Sequence, residues 1–176
     1  YKGGEQPDLS KRKIIKLNSN ENPLGPSRLA TDALKNSFEF INNYPSSNHE
    51  KLRKAIAKVH AINFENIICG AGSDELISFI CQCFCSTNDE VIYTEHGFAM
   101  YKISALLRGA NPVKVLENER VADVDNILKS CNNKTKIIFL ANPNNPTGTF
   151  LDSSKIKYLL DNLPDTVLMV IDGAYA

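Results

Sequence analysis

Asp172 closes the apolar run "VLMVID", and Tyr175 follows three residues later in "DGAYA". A carboxylate at the end of a buried strand is costly to desolvate unless a cation meets it. A protonated ring nitrogen would be such a cation, although an ordinary strand-end cap is the plainer reading. A second group stands in "IIFLANPNNPTGTF", residues 137–150, where an apolar run gives way to prolines and asparagines. Pro143 and Pro146 fix φ, so Asn142, Asn144 and Asn145 are held in few orientations. A rigid neutral amide suits an oxygen that must keep its negative charge; a proline-stiffened turn is the alternative. A third group is "CGAGSDEL", with Gly70 and Gly72 ahead of Ser73 and Asp74 at a helix start. Free backbone N–H groups and the positive helix end make such a turn a phosphate seat. It matches neither the Walker loop nor the GxGxxG fingerprint. A tight turn capped by Ser73 or Asp74 explains it equally well. Phe98, in "EHGFAMYK", could stack on a flat ligand or simply join the core. His96 beside it is a lone loop histidine.

These groups need a scaffold that brings strand ends together. Short apolar runs occur at Ile67–Cys69, Val91–Tyr93, Val113–Leu116, Ile137–Ala141 and Val167–Ile171. Helical patterns lie between them at 74–85, 98–108, 124–131 and 153–162. Gly109 stands where a helix C-cap belongs, and Asp152 where an N-cap does. Runs apolar at every position suit strands buried on both faces, so the expected class is α/β with a mostly parallel sheet. Ligands of such sheets bind at the carboxyl ends of the strands, where all four groups fall. Upstream, residues 1–28 are polar and rich in Pro, Gly and Asn and read as an arm, with residues 29–176 as the domain. Ala30, Ala33, Leu34, Phe38 and Ile41 predict one buried helix face. Asn48 is expected to cap a second helix, with Leu52, Ala55, Ile56 and Val59 on its buried side.

Composition narrows the function classes. The 176 residues can bury a real core, and a formal net charge of zero gives no electrostatic case for nucleic acid or an anionic membrane. No apolar run reaches the ~20 residues of a spanning helix and no signal-peptide pattern opens the chain, so a cytoplasmic location is expected. Cys81, Cys83 and Cys85 sit at alternate helix positions that diverge by ~200°, so they cannot converge on a metal. With Cys69 and Cys131 they read as buried, reduced thiols. No metal site is expected. The chain opens on Tyr1 and stops on "VIDGAYA" just past a strand, which points to a part of something longer.

A phosphate seat, a flat-ring platform, an amide for an oxyanion and an acid for a ring nitrogen describe one ligand, pyridoxal 5′-phosphate. In order, "LNSNENPLGPS", "NNYP", "GAGSDEL", "GFAMYKI", "ANPNNPTG" and "VIDGAYA" resemble the fold-type I aminotransferases that use this cofactor. The Asn-Glu-Asn-Pro-x-Gly arm with a following "YP" is most similar to the histidinol-phosphate aminotransferase subgroup. The resemblance implies the large domain of that fold, incomplete here, and a homodimer acting on a small-molecule substrate. It also implies roles for named residues. Gly72, Ser73 and Asp74 would bind the cofactor phosphate, and Phe98 would stack on the ring. Asn145 and Tyr175 would bond the ring oxygen, Asp172 would pair with the ring nitrogen, and Tyr44 would reach the neighbouring subunit's phosphate. Asn22 would approach the substrate. "EHG" stands where the family usually has a proline and a small hydroxyl residue, and Gly173 replaces the usual Glu. The family's Schiff-base lysine lies downstream of the Asp-x-x-Tyr motif. No lysine here has its context, so these residues alone are expected to be inactive. A threonine-phosphate decarboxylase or another aminotransferase of the subgroup shares the motifs, and a standalone cofactor-binding module is the non-enzymatic alternative.

Overall fold

The computed structural model describes residues 19–176, so the first eighteen residues of the expected arm, with Leu17 and Asn18 of its motif, lie outside the described residues. Residues 19–27 are exposed and turn-rich, and helix starts at Arg28. The chain divides into two units, up to Ile67 and from Ile68 onward.

The first unit contains α1 (Arg28–Ser37), a 3-10 turn at Phe38–Phe40, α2 (Glu50–His60) and a second 3-10 turn at Phe64–Asn66. Both helices form where the apolar spacing predicts, but neither contains a buried residue. Leu34, Phe38, Ile41 and Val59 are exposed, and Ile56 is only half-buried. This corrects the expected buried faces. Amphipathic spacing makes an apolar stripe, and burial needs a second element packed over that stripe. Asn48 does cap α2, but from one residue further out. Its Oδ1 accepts the Glu50 N–H at 3.2 Å, while His49 intervenes with φ 50°. Arg53 ties α2 to the second turn, donating from Nε and Nη2 to the Phe64 carbonyl at 3.2 and 2.9 Å.

The second unit is a four-stranded parallel sheet with helices on both faces. Its elements are α3 (Gly72–Phe84), β1 (Glu90–Thr94), α4 (Ala99–Leu107), β2 (Asn111–Val115), α5 (Val124–Ser130), β3 (Thr135–Ala141), α6 (Ser153–Asn162) and β4 (Leu168–Asp172). The spatial order is β2-β1-β3-β4, all neighbours parallel. Period-two alternation sorts side chains to the two faces. Val91, Tyr93, Ile137 and Phe139 pack with Ile77, Cys81, Tyr101 and Ala105 of α3 and α4. Ile92, Ile138 and Leu140 pack with Ile127 of α5 and Leu159 of α6 on the other side. Seven consecutive residues of β3 are thereby buried or nearly so, which is why that run is apolar at almost every position.

Predicted caps terminate the helices. After α4, the Gly109 N–H donates to the Leu106 carbonyl at 3.0 Å and Ala110 to Ala105 at 3.1 Å, with Gly109 at φ 71°. That is a Schellman ending, which needs the left-handed conformation glycine adopts freely. The Asp152 carboxylate accepts the Lys155 N–H at 2.9 Å at the start of α6. Two expectations fail. The run Ile67–Cys69 is no strand: Ile67 is extended at φ −114°, ψ 129°, but the run pairs with none of the four strands and Ile68 is exposed. A strand needs a ladder partner as well as β-branched residues. Cys83 is exposed while Cys81 and Cys85 are buried, because helix positions two apart face different ways. All five thiols are free, and the Cys81 thiol is pushed up by sharing its proton with Cys85 and by burial.

The connections create a switch in direction. From β1 the chain passes through α4 on one face to β2, and from β3 through α6 on the opposite face to β4. Right-handed crossovers running outward in opposite directions place their helices on opposite faces. The crevice therefore opens between the carboxyl ends of β1 and β3.

Candidate functional site

At that crevice, Asp172 ends β4 opposite Ala141, the last residue of β3. The Asn142 N–H donates to the Asp172 carbonyl at 2.9 Å, joining the two strand ends by backbone. The Asp172 carboxylate is oriented from two sides. Its Oδ1 accepts the Ala174 N–H at 3.0 Å, and its Oδ2 accepts the Tyr101 hydroxyl at 2.8 Å. Tyr101 is buried in α4, stacked on Phe139 of β3 with ring centroids 4.8 Å apart and planes 2° apart. Phe98 meets Tyr101 edge-on at 5.9 Å and 85°. Burial raises the Tyr101 phenol well above its ordinary range, and the Asp172 hydrogen bond and charge raise it further. Tyr101 therefore remains a hydrogen-bond donor. Sequence reasoning passed over it, although a tyrosine in an apolar helix face carries a polar tip that needs a partner.

The three asparagines after β3 separate into three roles. Asn142 is structural: its Oδ1 accepts the Leu151 N–H at 2.8 Å and its Nδ2 donates to the Leu151 carbonyl at 3.0 Å. Asn144 organises the loop tip, donating from Nδ2 to Thr147 Oγ1 at 2.8 Å and to the His96 carbonyl at 3.4 Å, while its backbone pairs with Thr149 and Gly148. Its Oδ1 is buried with no donor. Asn145 is half-buried, and among the described residues no hydrogen bond occupies its side-chain amide. The peptide bonds preceding Pro143 and Pro146 are both cis. Of the three asparagines, Asn145 alone has a side-chain amide with no hydrogen-bond partner among the described residues.

The glycine turn settles against a side-chain cap. Helix α3 begins at Gly72, and the residue ahead of it is Ala71, which has no capping side chain. Ser73 and Asp74 instead lie inside the first turn, where N–H groups precede the first intrahelical bond. Gly72 sits at φ 82°, with its N–H on the Gly70 carbonyl at 2.9 Å. Gly70 is crowded: a Cβ there would stand 2.9 Å from Glu75 Oε2, which accepts the Ala71 N–H at 2.6 Å.

Between β1 and α4 the loop is held more firmly than its sequence implies. His96 is no lone residue: its N–H donates to Glu117 Oε1 at 3.0 Å, and its Nδ1 lies 2.8 Å from Glu117 Oε2. Phe98 follows at the N-cap of α4, half-buried and packed against the core. Phe98 therefore joins the core, which is the plainer of its two readings. Tyr175 is half exposed beyond Asp172. Asn22 and Tyr44 belong to the first unit. Asn22 is exposed and its Oδ1 accepts the Leu24 N–H at 2.9 Å, while Tyr44 is fully exposed. Among the described residues no group of three or more His, Cys, Asp or Glu could hold a metal, and no helix is long and apolar enough to cross a membrane.

The family model "Aminotransferase class I and II" matches residues 12–176. Histidinol-phosphate aminotransferases of Ruegeria sp. (strain TM1040) and Dinoroseobacter shibae are 53% and 52% identical over 176 residues, all of this chain and 49% of each relative. That of Paracoccus denitrificans is 44% identical over 176 residues, covering 48% of its length. The chain spans about half the length of the curated relatives it matches. Among solved structures, histidinol-phosphate aminotransferase from Sinorhizobium meliloti in complex with pyridoxal-5′-phosphate superposes with TM-score 0.85 at 24% identity, over 89% of this chain and 43% of that one. The enzyme of the same name from Clostridium acetobutylicum gives 0.78 at 23%, over 89% and 46%. These structures share the fold.

Proposed function

The chain belongs to the class I and II aminotransferase family, and from that premise we propose that the protein is a pyridoxal-phosphate-dependent aminotransferase moving an amino group between L-histidinol phosphate and 2-oxoglutarate. The single observation that carries this reading is the carboxylate of Asp172, oriented by Tyr101 and Ala174 at the strand-end crevice. The high identity to histidinol-phosphate aminotransferases supports the choice of substrate.

The residues fit the cofactor. Each Asp172 oxygen takes one protein donor, which leaves lone pairs for a ring-nitrogen proton. The Asn145 amide has no partner among the described residues, and the first turn of α3 offers N–H groups. When bound, pyridoxal phosphate supplies a protonated ring that withdraws electrons from the substrate's α-carbon. Asp172 keeps that proton on the nitrogen, since a carboxylate at the strand end favours a cation beside it. Asn145 and Tyr175 donate to the ring oxygen, and Phe98 fixes the ring plane. Gly72, Ser73 and Asp74 take the phosphate through backbone N–H groups at the positive helix end. Asn22 approaches the substrate. Tyr44 is fully exposed, and in the homodimer that the family resemblance implies it reaches the phosphate of the second copy. Its place is the cytoplasm, as a small-molecule biosynthetic enzyme.

The test is an assay of the intact protein with L-histidinol phosphate and 2-oxoglutarate, reading glutamate formation. Glutamate formation supports the proposal. No turnover with histidinol phosphate, or carbon dioxide release from threonine phosphate instead, defeats the substrate assignment. Light scattering checks the dimer.

A further inference from the structure

The loop that carries Phe98 is fastened by a residue outside every motif that marks the site. Glu117 lies two residues beyond the end of β2, and its side chain is only 1% exposed, whereas the His96 side chain is 43% exposed. A carboxylate so buried is costly unless its oxygens are hydrogen-bonded. Both of its oxygens turn to one residue, Oε1 to the His96 N–H at 3.0 Å and Oε2 to Nδ1 at 2.8 Å. The His96 carbonyl in turn accepts Asn144 Nδ2 at 3.4 Å. Its backbone donor, ring nitrogen and carbonyl are thus all engaged, joining the loops after β2, β1 and β3.

Neighbouring contacts leave this connection little slack. The Glu95 N–H donates to the Val115 carbonyl at 2.9 Å, which extends the β1–β2 pairing up to the clamp. The Gly97 N–H donates to the Thr94 carbonyl at 2.9 Å, and a Cβ on Gly97 would stand 3.0 Å from that oxygen. The chain therefore turns back tightly between the clamp and Phe98. Phe98 is two residues from His96, and Asn145 is adjacent to Asn144. The clamp spans the crevice between β1 and β3, where the strand connections diverge.

We infer that Glu117, acting through His96, is a positioning residue that holds Phe98 and the Asn145 loop in register for the cofactor, without touching the cofactor itself. This rests on the pyridoxal-phosphate reading. A preorganised loop binds without an ordering cost, and releasing it adds that cost to every binding event.

The experiment is a titration of the intact apoprotein with pyridoxal phosphate, following protein fluorescence for Kd and visible circular dichroism for ring orientation. The variants are Glu117→Ala, Glu117→Gln, His96→Ala and the double alanine. Glu117→Ala is expected to weaken binding by about 10-fold and to diminish the visible dichroism. His96→Ala, which keeps the backbone bond, is expected to weaken it by about 3-fold. The double variant should be no worse than Glu117→Ala, because both act through one contact. Glu117→Gln retains an acceptor for the His96 N–H and should restore most of the affinity. Wild-type Kd and dichroism in Glu117→Ala overturn the inference, as does a lowered Tm with unchanged Kd. Should Glu117→Ala fail to fold, His96→Ala at the exposed end decides by the same criteria. Wild-type protein that binds no pyridoxal phosphate sinks the cofactor reading and the inference with it; normal wild-type binding with indifferent variants sinks the inference alone.

Discussion

The helices of the first unit and the strands of the second both carry prominent apolar residues, with opposite outcomes. In β3, alternation at period two sends Ile137 and Phe139 to one face and Ile138 and Leu140 to the other, and all four are buried. In α1, the 3-10 turn that follows it and α2, period 3.6 gathers Leu34, Phe38, Leu52 and Val59 into stripes, and all four are exposed. Periodicity therefore specifies which side of an element is apolar. Only a packed neighbour decides whether that side is dry.

The sharpest way to break this contrast is truncation on both sides of it. Phe139→Ala removes a ring that Tyr101 stacks upon and should cost about 3–5 kcal/mol in urea denaturation. Leu34→Ala, at 60% exposure, should fall within about 0.5 kcal/mol of wild type. Comparable losses at both sites would show that the α1 stripe is covered in the intact protein.

Next in size is Tyr101→Phe, which keeps the stacking on Phe139 and deletes the donor to Asp172. A hydrogen bond to a charged group contributes about 1.5–3 kcal/mol, so stability should drop by that order and the affinity for pyridoxal phosphate should weaken. Unchanged affinity would mean that Ala174 alone orients the carboxylate. The same tyrosine makes stability sensitive to alkali. Burial, then the Asp172 bond, raises the Tyr101 phenol above its ordinary 10.0, and burial raises Tyr93 as well. The folded state keeps protons that the unfolded chain releases, so this contribution is whole below pH 10.0 and is lost as pH climbs beyond it. Urea midpoints between pH 9 and 11 should fall, and less steeply in Tyr101→Phe.

The smallest effect belongs to the first unit. Glu65→Gln loosens an ion pair with Arg53 whose carboxylate is 64% exposed. Because Arg53 still reaches the Phe64 carbonyl twice, the change should stay under about 0.5 kcal/mol by denaturation. A larger loss would make the first unit's polar ties more cooperative than their exposure implies.

What could be read from the sequence follows from what is local. The runs around Val91, Val113, Ile137 and Val167 became strands within a few residues, and Gly109 and Asp152 ended and began helices where their chemistry requires. Ile67–Cys69 misled because ladder partners are not encoded in the run itself. The motifs of the candidate site were legible, yet not how their residues bond to one another. Asn142, Asn144 and Asn145 carry the same amide, and only the surrounding backbone assigns one to Leu151, one to His96 and one to no partner among the described residues. Tyr101 and Glu117 were missed for a plainer reason. Their partners lie 71 and 21 positions away in the chain, and nothing near them announces a long-range bond.

The two hydrogen bonds between the Asn142 side chain and the Leu151 backbone act as a buckle across the base of the β3–α6 connection. With both stems fastened together, residues added or removed among 143–150 would reshape the tip while β3 and α6 keep their places. Loop length can therefore change at this tip without refolding the sheet.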